Sequence, residues 1–129
     1  MKYSKATDYA LHTMMFLAKK ADKLPVNVIE LAELQNISPT YLSKILTKLS
    51  KANLINAISG ANGGYSLKID WQTISVLDII HAIEGKQSLF ECYVHQDDKC
   101  TIKQIMLNAE QKMDALLQST TLLDIVRQS

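Results

Sequence analysis

The chain has 129 residues, 47% hydrophobic and 21% charged, with a formal net charge of +1. That length suits one domain, the apolar content supports a buried core, and the composition excludes an intrinsically disordered chain. The near-neutral total hides an asymmetry: residues 1–68 carry nine Lys against four acids, giving +5, and residues 69–129 carry five Lys or Arg against nine acids, giving −4.

No run of eighteen apolar residues occurs, so no membrane helix is expected. Asp8, His12, Lys19 and Lys20 interrupt any secretory-type apolar run near the start. The expected compartment is the cytoplasm, with no membrane partner. Two cysteines in such a chain are expected to be free thiols, redox sensors or metal ligands rather than a structural disulfide.

In chain order, Ser4 caps a first helix to about Ala21, with Ala6, Tyr9, Ala10, Thr13, Met14, Leu17 and Ala18 on one face. Leu11, Met15 and Phe16 widen that apolar surface, so the helix is expected to be covered on more than one side, by its own domain or by a second chain. Asp22-Lys23-Leu24-Pro25 ends it. Val28, Ile29, Leu31, Ala32 and Leu34 predict a short helix, followed by the tight connection Gln35-Asn36-Ile37-Ser38.

Ser38 and Pro39 then open a helix over 39–51, a side-chain cap followed by a residue whose missing N–H costs nothing there. Leu42, Ile45, Leu46 and Leu49 form its buried face. Thr40, Tyr41, Ser43, Lys44, Thr47, Lys48 and Lys51 point outward, a hydrogen-bonding face with three positive charges and no acid. Such a helix suits the DNA major groove, and two helices joined by so few residues form a helix-turn-helix. The alternating runs 54–58 and 65–69, joined by Gly60-Ala61-Asn62-Gly63-Gly64, predict a hairpin wing. Each signal alone is ordinary for a solvated helix or a plain hairpin; their order makes the module.

Beyond the wing, Asp70 to Ile74 is a connection, and Ser75 starts a buried helix, Val76 to Glu84, closed by Gly85. Residues 86–99 lack a clear period and hold Cys92 and His95. From Cys100 to about Gln118 a long helix carries Ile102, Ile105, Met106, Ala109, Met113, Leu116 and Leu117 at three- and four-residue steps, close to a coiled-coil seam. Lying beyond the winged unit, it is expected to be intermolecular. A last short helix, Leu122 to Val126, is expected to pack back. Cys100, at a helix start beside Lys99, is the thiol expected to have the lowered pKa. It could join Cys92 in a disulfide or be alkylated, moving the long helix, or both thiols could be inert.

Three function classes compete. The basic helix-turn-helix favours a DNA-binding regulator whose lysines, including Lys68, neutralise phosphates. A winged protein-docking module without DNA binding is the alternative. An enzyme is not expected: there is no phosphate-binding glycine loop followed by Lys, no zinc-hydrolase helix pair and no paired acid and base, and His12 and His81 read as packing residues.

Five blocks also resemble one bacterial family in order along the chain: Lys5-Ala6-Thr7-Asp8-Tyr9-Ala10-Leu11, Ile37-Ser38-Pro39-Thr40-Tyr41-Leu42, Gly60-Ala61-Asn62-Gly63-Gly64-Tyr65-Ser66-Leu67, Asp78-Ile79-Ile80-His81-Ala82-Ile83-Glu84-Gly85 and Thr120-Thr121-Leu122. They resemble the Rrf-two regulators, of the IscR, NsrR and CymR type. The resemblance implies a mainly α fold with a small β-wing, a winged helix-turn-helix plus a long C-terminal dimerisation helix. It divides the chain into a DNA-binding domain at 1–85, a sensor loop at 86–99 and a dimerisation segment at 100–129, forming one folded unit. It further implies a homodimer, most often a repressor, on double-stranded DNA with a partly palindromic operator. Ser38, Pro39, Thr40, Tyr41, Ser43 and Lys44 would face the major groove and Asn62, Gly63 and Gly64 the minor groove.

Ser59 and Ala61 stand where the family often has arginine and proline. Many members hold an iron–sulfur cluster on three loop cysteines; this chain keeps the first and last, Cys92 and Cys100, and lacks the middle one. A cluster normally takes four ligands. His95, Asp97, Asp98 or a partner's residue at the position of Asp8 could complete a set. The sequence alone assigns neither cofactor nor metal.

Overall fold

Every α-helix start among the described residues is stabilised by a side chain that accepts one of its free amide protons, which is why the boundaries are readable in the sequence. The structure, a computed structural model, describes residues 2–95 and 99–129. Its order is α1 (Lys5–Lys19), α2 (Val28–Gln35), α3 (Pro39–Lys51), β1 (Ile55–Ile58), β2 (Gly64–Leu67), α4 (Val76–Glu84), α5 (Thr101–Ser119) and α6 (Leu122–Gln128), with single 3-10 turns at Ala21–Lys23 and Trp71–Thr73. Asn27 and Ser38 cap α2 and α3 by accepting from Glu30 N at 2.8 Å and Tyr41 N at 3.1 Å. Ser75 with Asp78, and Thr121 with Asp124, form reciprocal capping boxes at α4 and α6. At α5 the acceptor is a sulfur: Cys100 Sγ takes the Lys103 N–H at 3.5 Å.

The mainly α architecture with a small wing is as expected. Some bounds differ. α1 stops at Lys19, not near Ala21, and α6 runs on to Gln128. The second strand ends at Leu67, and Ile69, expected within it, is 98% exposed.

The core gathers around α1, whose Ala10, Met14 and Leu17 are fully buried against α2, α3, α4 and α6. Leu31, Leu42, Leu46, Leu49, Ile74, Ile79 and Leu122 are among the other buried members. Burying each such side chain contributes about 1.5–3 kcal/mol. Thr7, which apolar periodicity does not select, is also buried. Leu11, Met15 and Phe16 are half-buried.

The strands pair antiparallel in the register Ile55↔Leu67 to Ile58↔Gly64. The C-terminal segment returns to the body as expected: Val76 N–H donates to Thr120 O at 2.9 Å and Leu122 N–H to Ile74 O at 2.8 Å. α5 packs beside α4 yet has no buried residue along its nineteen. No described helix is long and apolar enough to cross a membrane.

Candidate nucleic-acid interface and thiol site

In α3, Leu42, Ile45, Leu46 and Leu49 are all at most 2% exposed, and the opposite side is open. Ser38, Pro39, Thr40, Tyr41, Lys44, Thr47, Lys48 and Lys51 are exposed. Ser43 is not: it is half-buried, because its position on the helix turns it toward the margin of the Leu42–Leu46 face, and its carbonyl accepts the Thr47 hydroxyl at 2.8 Å. Tyr41 is held from behind by Tyr9, edge to face, with ring centroids 5.8 Å apart at 87°.

Glu84, the last residue of α4, is half-buried. Its Oε2 accepts from the Thr7 hydroxyl at 2.5 Å, from Ser4 N–H at 2.7 Å and from the Ser4 hydroxyl at 3.0 Å. The Thr7 hydroxyl first, then the Ser4 amide, hold its carboxyl below the usual carboxylate range, and the charge of Lys48 adds to this. A carboxylate from the end of α4 therefore serves the first turn of α1, where the helix dipole favours negative charge. Sequence reasoning missed it, since 77 residues separate Glu84 from Thr7 and only the short-range Ser4 cap leaves a local trace.

At the wing, Asn62 is exposed at the tip. Gly63 and Gly64 are half-buried, and the hairpin leaves no room for a side chain at either: a Cβ on Gly63 would lie 2.1 Å from Ile58 O, and one on Gly64 2.4 Å from Val26 O. Gly64 is at φ +151, and its close approach allows Tyr65 and Val26 to exchange backbone hydrogen bonds of 2.8 and 3.0 Å. Lys68 is half-buried and pairs with Asp70 at 3.8 Å.

On α5, Ile102, Ile105 and Leu116 are 65%, 61% and 66% exposed, and Ala109 is exposed. Met106, Met113 and Leu117 are half-buried.

The loop before α5 brings Cys92, His95 and Cys100 together, with their ligand atoms all within 4.8 Å of one another. The two Sγ atoms are 3.7 Å apart and both thiols are free. Cys100 is buried and His95 exposed. The Cys92 thiol is held below its ordinary range. The His95 backbone N–H, which donates to its Sγ at 3.3 Å, is the largest cause, followed by the Val94 amide; Cys100 and the charge of Lys103 add to it. Sequence reasoning missed this, because the amides come from an aperiodic loop folded onto the sulfur.

Within one chain Asp8 lies apart from this cluster, exposed on α1 with an oxygen 3.2 Å from His12 Nδ1. His12 is exposed, with its ring centroid 6.4 Å from that of Phe16, and His81 is half-buried. Asp97 and Asp98 lie outside the described residues.

A family profile described as "Rrf2: Iron-dependent Transcriptional regulator" matches residues 3–128. The chain belongs to the Rrf2 family. It is similar to the HTH-type transcriptional regulator CymR of Bacillus subtilis, 34% identical over 97% of this chain and 89% of that protein. It is also similar to the HTH-type regulator NsrR of Oceanobacillus iheyensis, 31% identical over 98% of this chain and 90% of that one. The solved structure of B. subtilis CymR, "the Global Cysteine Regulator", superposes with a TM-score of 0.87, 32% identity and coverage of 100% of this chain and 98% of that one. This Rrf2 protein is a transcriptional regulator, and these relatives are regulators rather than enzymes.

Iron is named in the family description, so the thiol site must be weighed against an iron–sulfur cluster. Such clusters are held by four protein ligands, mostly thiolates. The whole chain has two cysteines, and among the described residues one imidazole joins them. Within one chain the described donors therefore number three, one short of the set a cluster takes.

Proposed function

We propose that this regulator acts as a homodimeric repressor in the cytoplasm, on a partly palindromic operator. In this reading α3 enters the major groove with Ser38, Pro39, Thr40, Tyr41 and Lys44 near base edges and the adjoining backbone. Lys48 and Lys51 contact phosphates, and the wing at 60–64 rests on the flanking minor groove through Asn62. Ser43 has the smaller share because it is half-buried, and Gly63 and Gly64 contribute by shaping the hairpin. With Ser59 where a cation would favour a narrow minor groove, the wing discriminates weakly.

The observation that carries the reading is the division of α3 into a fully buried apolar face and an exposed face with three lysines and no acid. The exposed Ile102, Ile105, Ala109 and Leu116 support pairing of α5 with a second copy. The loop at 86–99 then acts as the sensor: redox or electrophile chemistry at Cys92 and Cys100 acts on the first turn of α5 and hence on the spacing of the two α3 helices.

Selection of bound fragments from genomic DNA, followed by gel retardation at moderate salt with excess random competitor, tests this. Retention of a palindrome-bearing fragment, and lower transcription from it in vitro when the protein is added, is expected. Equal retention of all duplexes that vanishes as salt rises would sink the reading in favour of a protein-docking module.

A further inference from the structure

Three donors from one chain suit a guest smaller than a cluster. We propose that Cys92, His95 and Cys100 form a mononuclear, tetrahedral site for a borderline-soft divalent cation of the zinc or ferrous class, with no fourth donor among the described residues and that position left to solvent. This goes beyond the DNA-binding reading and stands without it.

Geometry comes first. The sulfurs are 3.7 Å apart. A disulfide needs about 2.05 Å, whereas two thiolates at a metal–sulfur distance of about 2.3 Å with tetrahedral angles sit about 3.8 Å apart. Two thiols in bare contact would show a similar spacing, so the third donor matters: the ring nitrogen of His95 also lies within 4.8 Å of both sulfurs.

The sulfurs are also placed as metal-bound thiolates are, each accepting a backbone N–H three residues on, from His95 at 3.3 Å and Lys103 at 3.5 Å. Such outer contacts orient ligands and stabilise negative sulfur. A cleft lined by His95, Lys99, Cys100, Thr101 and Ile102 opens the site to entering ions.

Ligand type selects the ion. Two thiolates and an imidazole favour zinc-like or ferrous ions over calcium or magnesium, which prefer oxygen. On binding, each cysteine loses its proton to solvent and forms one sulfur–metal bond, while the neutral imidazole donates a lone pair. The two thiolate charges cancel those of the ion, and two protons are released per ion. No electron moves. Because Cys100 caps α5, the ion would join the 86–95 loop to the first turn of that helix.

Titration of the full-length, reduced protein with cobalt(II) under anaerobic conditions tests the site. Expected are sulfur-to-cobalt charge-transfer absorption and intense tetrahedral d–d bands, saturating at one cobalt per chain and displaced by zinc. Cys92→Ser and Cys100→Ser should remove most of the charge-transfer intensity. His95→Ala should weaken binding by more than the roughly 10–100-fold that loss of an outer-shell partner costs. Cys92 and His95 are outside the core, so their variants should keep the parent circular dichroism even if Cys100→Ser does not fold.

Weak octahedral bands without charge transfer would overturn the proposal. So would iron with stoichiometric acid-labile sulfide in anaerobically purified protein, which would mean a cluster. Operator retention measured on the same samples keeps the two readings apart, since a metal-free protein that still selects its operator refutes only the site.

Discussion

α3 and α5 are both amphipathic, and they differ in where their apolar faces go. In α3 every apolar position from Leu42 to Leu49 is covered by the same chain, and what remains outside is polar and basic. In α5 none of nineteen residues is buried, and Ile102, Ile105 and Leu116 stay more than 60% exposed. A helix whose stripe is already covered offers its other side to a polar partner; a helix whose stripe is bare requires an apolar one. In the proposed function, reading DNA and pairing with a second copy therefore fall to different helices.

The largest expected break of that contrast is Ile105→Lys with Met113→Lys. Sedimentation should show a monomer, and operator affinity should fall by about 10²–10⁴, since the second half-site no longer binds as part of one molecule. Leu46→Ala should do the opposite, leaving pairing chemistry intact while lowering unfolding stability by about 2–5 kcal/mol in denaturant titration. A loss under about 1 kcal/mol would mean that the α3 core is looser than described.

Tyr41→Ala should reduce the preference for operator over random duplex by about 1–3 kcal/mol, read from competition binding. Lys44→Gln should weaken all duplexes alike and lower the salt-dependence slope by about one per half-site. If both variants changed only selectivity, the phosphate role of Lys44 would be wrong.

The smallest effect concerns Glu84. Its carboxyl titrates below the usual range in the folded chain, so the stability it contributes is complete above the unfolded carboxylate pKa and is lost as pH falls through the lower folded value. Glu84→Gln should unfold at lower urea than the parent near neutrality, and the two midpoints should converge in acid. Parallel curves would show that the Ser4 and Thr7 contacts do not depend on the charge.

What could be read from the sequence was what is local. Ser38-Pro39 and the spacing of Leu42, Ile45, Leu46 and Leu49 specify α3 within about three turns, and the bare seam of α5 shows the same period with nothing in the winged unit to cover it. The glycine run marked the hairpin, though not that Gly64 is needed for approach to Val26, nor that Ser43 falls on a margin. Glu84 beneath Ser4 and Thr7, Tyr9 behind Tyr41, and the pairing of 74–76 with 120–122 join positions with no shared local pattern. The lowered pKa of Cys92 was illegible for a related reason: the amides on its sulfur come from an aperiodic loop, whereas the helix start at Cys100 is visible in sequence.

The return of the chain at Thr120 makes α5 a lever. At its far end Leu122 is wholly buried, and Val76 and Leu122 bond across the junction, so that end is a pivot tied to the body carrying α3. The near end rests on Cys100. A nineteen-residue helix is about 28 Å long, so moving its Cys100 end by about 2 Å swings the axis by about 4°. In the proposed dimer, small chemistry at one sulfur would thereby be converted into an angle, and an angle shared by two copies would become a change of distance between their α3 faces.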